Sequence, residues 1–219
     1  MLFNSIDFAV FLPIVFLLYW GVFHRGIRAR NIFLIVTGCV FYGWWDWRFL
    51  GLLFFTAGVD YLVALGMART EEKARRKLLM GVSLTANLGL LGFFKYYDFF
   101  LRNFVEAFTL LGHHMDARPL SIVLPVGISF YTFQSLSYTF DVYRKQLPPV
   151  KDPTVFFAFV SFFPQLLAGP IERARHMLPQ FSAPRRFDEA SAYDGVRQML
   201  WGLFKKVVFA NYLSVLIAD

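Results

Sequence analysis

Long apolar runs separated by short charged clusters set the pattern of this chain. The first uncharged stretch, Phe8 to Phe23, covers about 24 Å as a helix. Adding Leu2 to Ile6 extends it to bilayer thickness, with Asp7 near its outer end. His24, Arg25, Arg28 and Arg30 follow, with no acidic residue among them. The next run, Asn31 to Tyr42, leads into YGWWDWRF at 42–49, whose aromatics around Asp46 and Arg48 predict an interfacial belt at a tight turn. A third span, Phe49 to Met67, carries Asp60, and the segment RTEEKARRK at 69–77 is basic on balance. A fourth span is expected over Leu78 to Phe94, where Thr85 and Gly89 offer a small-residue face for close helix packing.

Lys95 to Leu111 mixes Lys95, Asp98, Arg102 and Glu106 with a heavy apolar load at helical spacing, which predicts an amphipathic helix lying in the interface. A polar loop through His113, His114, Asp116 and Arg118 then leads to a fifth span near Ile122 to Phe140. The basic loops at 24–30 and 69–77 alternate with the neutral segment 95–118. The positive-inside rule therefore predicts an extracytoplasmic N-terminus.

Thr154 to Ile171 is long enough to span, yet Pro164 sits at its centre, with Gln165, Gly169 and Pro170 directly after. Its far side holds Arg173, Arg175, Arg185 and Arg186, which a spanning helix would carry to the wrong face. A re-entrant segment turning near Pro164 keeps them cytoplasmic. Broken backbone at membrane depth is tolerated where it is buried in protein or lines a cavity, so 160–171 is expected to line a cavity open to the cytoplasm. The last segment, 191–219, begins amphipathic around Tyr193 and Arg197, then places Lys205 and Lys206, which can snorkel, before another apolar run.

Composition makes the same case. Of 219 residues, 57% are hydrophobic, 20% aromatic and 17% charged, too little polar surface to cover a soluble domain and far too many aromatics for disorder. The net charge of +7 sits in short loops rather than on one basic face, which argues against a nucleic-acid partner and for membrane lipid. Cys39, in an apolar run, reads as an inert thiol. The opening MLFNSIDF lacks a basic start, so the first helix is expected to be retained. The expected fold is all-α: a single polytopic membrane bundle over 1–219, with a re-entrant segment and an interfacial amphipathic helix.

Catalytic signatures are missing. There is no phosphate-binding glycine loop, nucleophile elbow or metal-ligand motif. Gly127-Ile128-Ser129 reads as packing, and His113-His114 as a solvated loop, since adjacent residues diverge on a helix. His24 is interfacial, and His176 has a weak claim to chemistry. Asp141 and Lys95 lie at span ends, whereas Asp60 in mid-span is either hydrogen-bonded to a neighbouring helix or functional. On these grounds alone, a transporter and an intramembrane enzyme both stand.

Four blocks carry a resemblance: MLFNSIDFAVFLPIVFLLYW at 1–20, LPVGISFYTFQSLSYTFDVYR at 124–144, FFPQLLAGPIERARHMLPQF at 162–181 and GLFKKVVFANYL at 202–213. They resemble the membrane-bound O-acyltransferase family, in its bacterial alginate O-acetyltransferase and D-alanyl-lipoteichoic-acid branch. The resemblance implies a helical bundle around a funnel in the bacterial inner membrane. There an acyl group would pass from a cytoplasmic donor, acetyl-CoA or an acyl-carrier protein, toward a polysaccharide such as alginate. The donor is a substrate, and no bound cofactor or metal is implied. An extracytoplasmic acetyltransferase is the implied partner. Pro164, Gln165, Gly169, Pro170, Glu172 and Arg173 become funnel-wall candidates. Arg144, Lys145, Arg173 and Arg175 would attract an anionic donor at a cytoplasmic mouth, or simply follow the positive-inside rule. The family's catalytic histidine lies in a later membrane segment, and none of His24, His113, His114 and His176 sits in a matching motif, so no catalytic residue is assigned. The chain reads as the N-terminal half of such an enzyme, expected to need the C-terminal half of the bundle for catalysis. An export subunit or a scaffold for a partner enzyme is the alternative.

Overall fold

A computed structural model describes residues 1, 3–23, 25–110, 123–167, 169, 172–210 and 213. His24, His113, His114, Asp116, Arg118 and Pro170 lie outside the described residues. The described residues are helical without a strand among them, as the apolar runs predict. They form two compact units, Asn31–Ala183 and a second made of Met1–Arg30 with Pro184–Asp219.

In the second unit, helix α1 spans Ile6–Leu18 and continues as a π-helical stretch over Tyr19–Phe23. The expected extension does not form over residues 3–5, and Leu2 lies outside the described residues. Ser5 is the N-cap, its side chain accepting from the Phe8 amide at 3.2 Å, and Asp7 complements the dipole of the first turn. The resulting Ile6–Phe23 helix of 18 residues is still about 27 Å long. Helix α9, Glu189–Phe204, starts on an Asp188 cap and passes into a second π-helical turn at Lys205–Ala210, which carries Lys205 and Lys206. Phe187 meets both Phe16 and Trp20 edge-on. The run beyond Ala210 lies, except for Leu213, outside the described residues.

Trp47 alone separates α2 (Ile27–Asp46) from α3 (Arg48–Ala68). The expected turn is there, locked by an Arg48–Asp46 ion pair at 2.7 Å, with Trp44, Trp45 and Trp47 exposed as an aromatic belt requires. Helix α4 differs from expectation. It runs unbroken over Lys73–Leu110, 38 residues and about 57 Å, joining the fourth span and the predicted interfacial helix into one rod. No proline or glycine interrupts residues 93–110, so nothing stops propagation when the sequence turns amphipathic. Helix α5 (Ile128–Tyr143) begins later than the predicted Ile122, after Pro125 and a left-handed Gly127 at φ +76°. Among the described residues, three helices combine the length and hydropathy to cross a membrane: Ile6–Phe23, α3 and α4.

Helices α3, α4 and α5 pack on one another. The face that α4 buries is Met80, Ser83, Asn87 and Leu91, not the expected Thr85–Gly89 face, which is exposed; a Cβ on Gly89 would meet nothing within 4 Å. At one end, buried Arg76 donates to the carbonyl oxygens of Met67 (2.7 Å), Val142 (2.9 Å) and Tyr143 (2.8 Å). One guanidinium thus closes the carbonyl ends of both α3 and α5, where helix dipoles favour a cation. Arg69, Lys73, Arg144 and Lys145 share this basic end. Lys145 pairs with Glu71 there and, by hydrogen bond first and charge second, holds that carboxyl below its ordinary range.

Candidate functional site

The segment 151–182 folds as α6 (Pro153–Val160), α7 (Phe163–Leu166) and α8 (Ala174–Ser182). Asp152 caps α6, accepting from the Thr154 amide at 2.9 Å, and Pro153 takes the first helical turn. Eight residues give α6 about 12 Å, under half the roughly 30 Å hydrocarbon core. Continuation fails at the next turn because Pro164 has no N–H to donate to the Val160 carbonyl.

Contacts along α5 and α2 measure where this segment goes. At the basic end, the Val150 amide donates to the Tyr138 hydroxyl at 3.0 Å, and the Phe156 ring lies 4.8 Å from that of Tyr138. Further along α5, the Phe159 carbonyl accepts from Gln134 Nε2 at 3.0 Å. The Leu166 carbonyl then packs against Gly127, where a Cβ would overlap it. From Tyr138 to Gly127 is about 16 Å of helix. The return is read on α2. Tyr42 marks the Gly127 level, its hydroxyl donating to Val126 O at 2.9 Å; Gly38 faces the Ser161 carbonyl of the outgoing limb, and on the returning limb Phe181 O accepts from Asn31 Nδ2 at 3.1 Å. Tyr42 to Asn31 is again about 16 Å. Both limbs retreat the same way from the Gly127 level, so the segment is a hairpin that enters and leaves at one end, as the charge pattern predicted.

Polar side chains hold it. Gln134, buried on α5, also donates to Gln165 Oε1 at 3.2 Å. Gly38 and Gly127 leave the room that the hairpin backbone fills, and neither position tolerates a side chain there. Phe41 and Phe163 rings lie 5.5 Å apart across the break. Behind this wall, Asp60 on α3 is fully buried and accepts from Ser83 and Asn87 on α4 and Ser135 on α5, the Asn87 contact at 3.0 Å. The hydrogen-bonded reading of Asp60 is the one observed. A three-helix polar knot of this kind fixes helix rotation, because every donor would be orphaned by a small turn. Asp60→Ala is expected to cost about 3 kcal/mol and Asp60→Asn roughly a third of that, measured by thermal unfolding in detergent. An unchanged midpoint for Asp60→Ala would discard the structural role.

The sequence candidates are distributed as follows. Pro164 is exposed on α7, Gln165 is half-buried against Gln134, and Gly169 adopts φ +120°. Glu172 is half-buried, and Arg173 and Arg175 are exposed at the start of α8. Arg144 and Lys145 are exposed at the end of α5, where Lys145 pairs with Glu71. His176 is exposed, and no group of three or more potential metal ligands occurs among the described residues. Sequence reasoning missed Gln134, Ser83 and Asn87. The signal was there: Thr132, Ser135 and Thr139 mark one polar face of α5, and Ser83 and Asn87 are one turn apart on α4.

Fold and site together define a polytopic, all-helical membrane protein with a polar-clamped intramembrane hairpin. Comparison places it more narrowly. A protein of Pseudomonas syringae pv. tomato named "probable alginate O-acetylase AlgI" is 38% identical over 225 residues, covering 100% of this chain and 42% of that protein. Its namesake in Pseudomonas aeruginosa is 38% identical over 221 residues, 99% of this chain and 41% of that protein. A "peptidoglycan O-acetyltransferase" of Helicobacter pylori is 35% identical over 248 residues, 96% of this chain and 45% of that protein. No protein-family model and no solved structure matches the chain. The proteins it matches are members of the membrane-bound O-acyltransferase family, and the chain is similar to their N-terminal part. It spans about two-fifths of the length of the curated relatives it matches.

Proposed function

We propose that this chain forms the N-terminal part of an inner-membrane O-acetyltransferase that passes acetyl groups from a cytoplasmic donor toward an extracytoplasmic polysaccharide. The observation that carries this reading is likeness along the whole chain to proteins named as O-acetylases of alginate and of peptidoglycan. The hairpin supports it physically. An acyl thioester on a polar carrier cannot dissolve in lipid, so the donor needs protein-lined depth reached from its own side. With the N-terminus extracytoplasmic, the basic clusters at 25–30, 69–77 and 144–145 face the cytoplasm, and the hairpin opens toward the donor. Pro164, Gln165, Gly169, Pro170, Glu172 and Arg173 then line the acyl route, and Arg144, Lys145 and Arg175 draw in anionic acetyl-CoA or an acyl-carrier protein. A separate extracytoplasmic acetyltransferase is the expected recipient of the acyl group.

Deleting the gene is expected to abolish O-acetyl groups on the cell's polysaccharide while leaving the amount secreted unchanged, both read by proton NMR of purified material. Loss of secretion with normal acetylation per sugar would replace this reading with an export subunit. Orientation is tested separately: Arg175→Cys should resist a membrane-impermeant maleimide in intact cells and react after permeabilisation. Efficient labelling in intact cells would reverse the topology.

A further inference from the structure

Gln165 carries two N–H groups that the hairpin leaves over. The orientation of its amide follows from chemistry rather than from atom labels. The Phe159 carbonyl can only accept, so the Gln134 atom 3.0 Å from it is the amide nitrogen. That same nitrogen lies 3.2 Å from the Gln165 side chain, so the atom it meets there is the acceptor, Oε1. The Gln165 NH2 group therefore points away from Gln134, and no described hydrogen bond uses it. Gln165 is half-buried beside Phe163 and Leu166, both buried, at the point where Pro164 breaks the backbone. Two oriented, uncharged donors suit a neutral oxygen acceptor, because an anion would forfeit its hydration for uncharged partners.

Resting on the acetyl-transfer reading above, we propose that Gln165 donates a hydrogen bond to the carbonyl oxygen of the acyl group in transit, with Gln134 as its positioning residue. The acetyl carbonyl is the one part of a coenzyme-A thioester with this chemistry that travels. The anionic remainder is served by the basic end, and the hairpin apex needs to recognise only a small, uncharged C=O. Gln134 acts through Gln165. It spends its own N–H groups on Phe159 and on the Gln165 oxygen, and so fixes which way the free donors face.

The test uses the full-length protein, C-terminal part included, purified in lipid nanodiscs together with its extracytoplasmic acetyltransferase partner, [1-13C]acetyl-CoA and a polysaccharide acceptor. Gln165→Met keeps size and removes the donors together with the oxygen that Gln134 holds; kcat/KM for acetyl-CoA is expected to fall about tenfold per folded molecule, with the unfolding midpoint slightly lowered. Gln165→Glu, which substitutes acceptor oxygens, should fall at least as far. Gln134→Met should lose activity to a similar degree even after correction for its lower midpoint. Unchanged kcat/KM per folded molecule in both Gln165 variants, with an active wild type, overturns the assignment alone. A wild type that transfers no acetyl overturns the underlying reading and the assignment with it.

Discussion

Gly127→Ala is expected to release the apex of the hairpin, lowering stability by about 3 kcal/mol or more. Two penalties add. Gly127 sits at φ +76°, which an L side chain resists, and its missing Cβ is the space that the Leu166 carbonyl occupies. A carbonyl cannot retreat as a flexible side chain would, so α7 must move. Gly38→Ala should behave alike, since there the obstacle is the Ser161 carbonyl. Gly89→Ala is the control: a Cβ there meets nothing within 4 Å, and the change should leave stability level or raise it slightly through helix propensity. Thermal unfolding in detergent reads all three. Equal midpoints for Gly127→Ala and Gly89→Ala would mean that the hairpin does not dock on α5.

Arg76→Ala is the second large effect, expected to cost about 3–5 kcal/mol. It removes three charge-assisted bonds and leaves the carbonyls of Met67, Val142 and Tyr143 without their guanidinium donors, at helix ends already rich in unpaired acceptors. Arg76→Lys should recover only part, because an ammonium cannot reproduce the planar fork that reaches two helices at once. The contrast is Lys145→Ala. Its exposed pair with Glu71 is screened by water and ions, and its loss should be barely measurable. If the Arg76 and Lys145 variants unfold at the same temperature, the guanidinium clamp is not what closes this end.

Much of this architecture was legible in the sequence where a rule is local. The Asp46–Arg48 turn with its tryptophans and the break at Pro164 are each written in a few adjacent residues. The hairpin itself was legible through charge, because the arginines after Ile171 conflict with a crossing. What failed was any inference from polarity to helix length. Lys95, Asp98, Arg102 and Glu106 report where water can reach, whereas a helix ends only where backbone hydrogen bonding is interrupted, and nothing interrupts α4 there. The small-residue face of α4 misled for a related reason. Thr85 and Gly89 permit close approach, but Ser83 and Asn87 have a buried carboxylate to satisfy, and the helix turns toward Asp60 instead. Gln134 escaped notice because its partners, a freed carbonyl and a second glutamine, are brought to it only by the tertiary fold.

The Arg76 clamp also dictates how the bundle can breathe. With α3 and α5 riveted at their carbonyl ends, neither can slide or splay there without breaking three charge-assisted bonds at once. Among the described residues their opposite ends carry no such rivet; the Tyr42 phenol on the Val126 carbonyl and a long contact from Lys95 Nζ to Ser129 Oγ at 3.5 Å hold the start of α5. The pair therefore works like tongs sprung at one tip: any widening between them pivots about Arg76 and is largest beside Gly127.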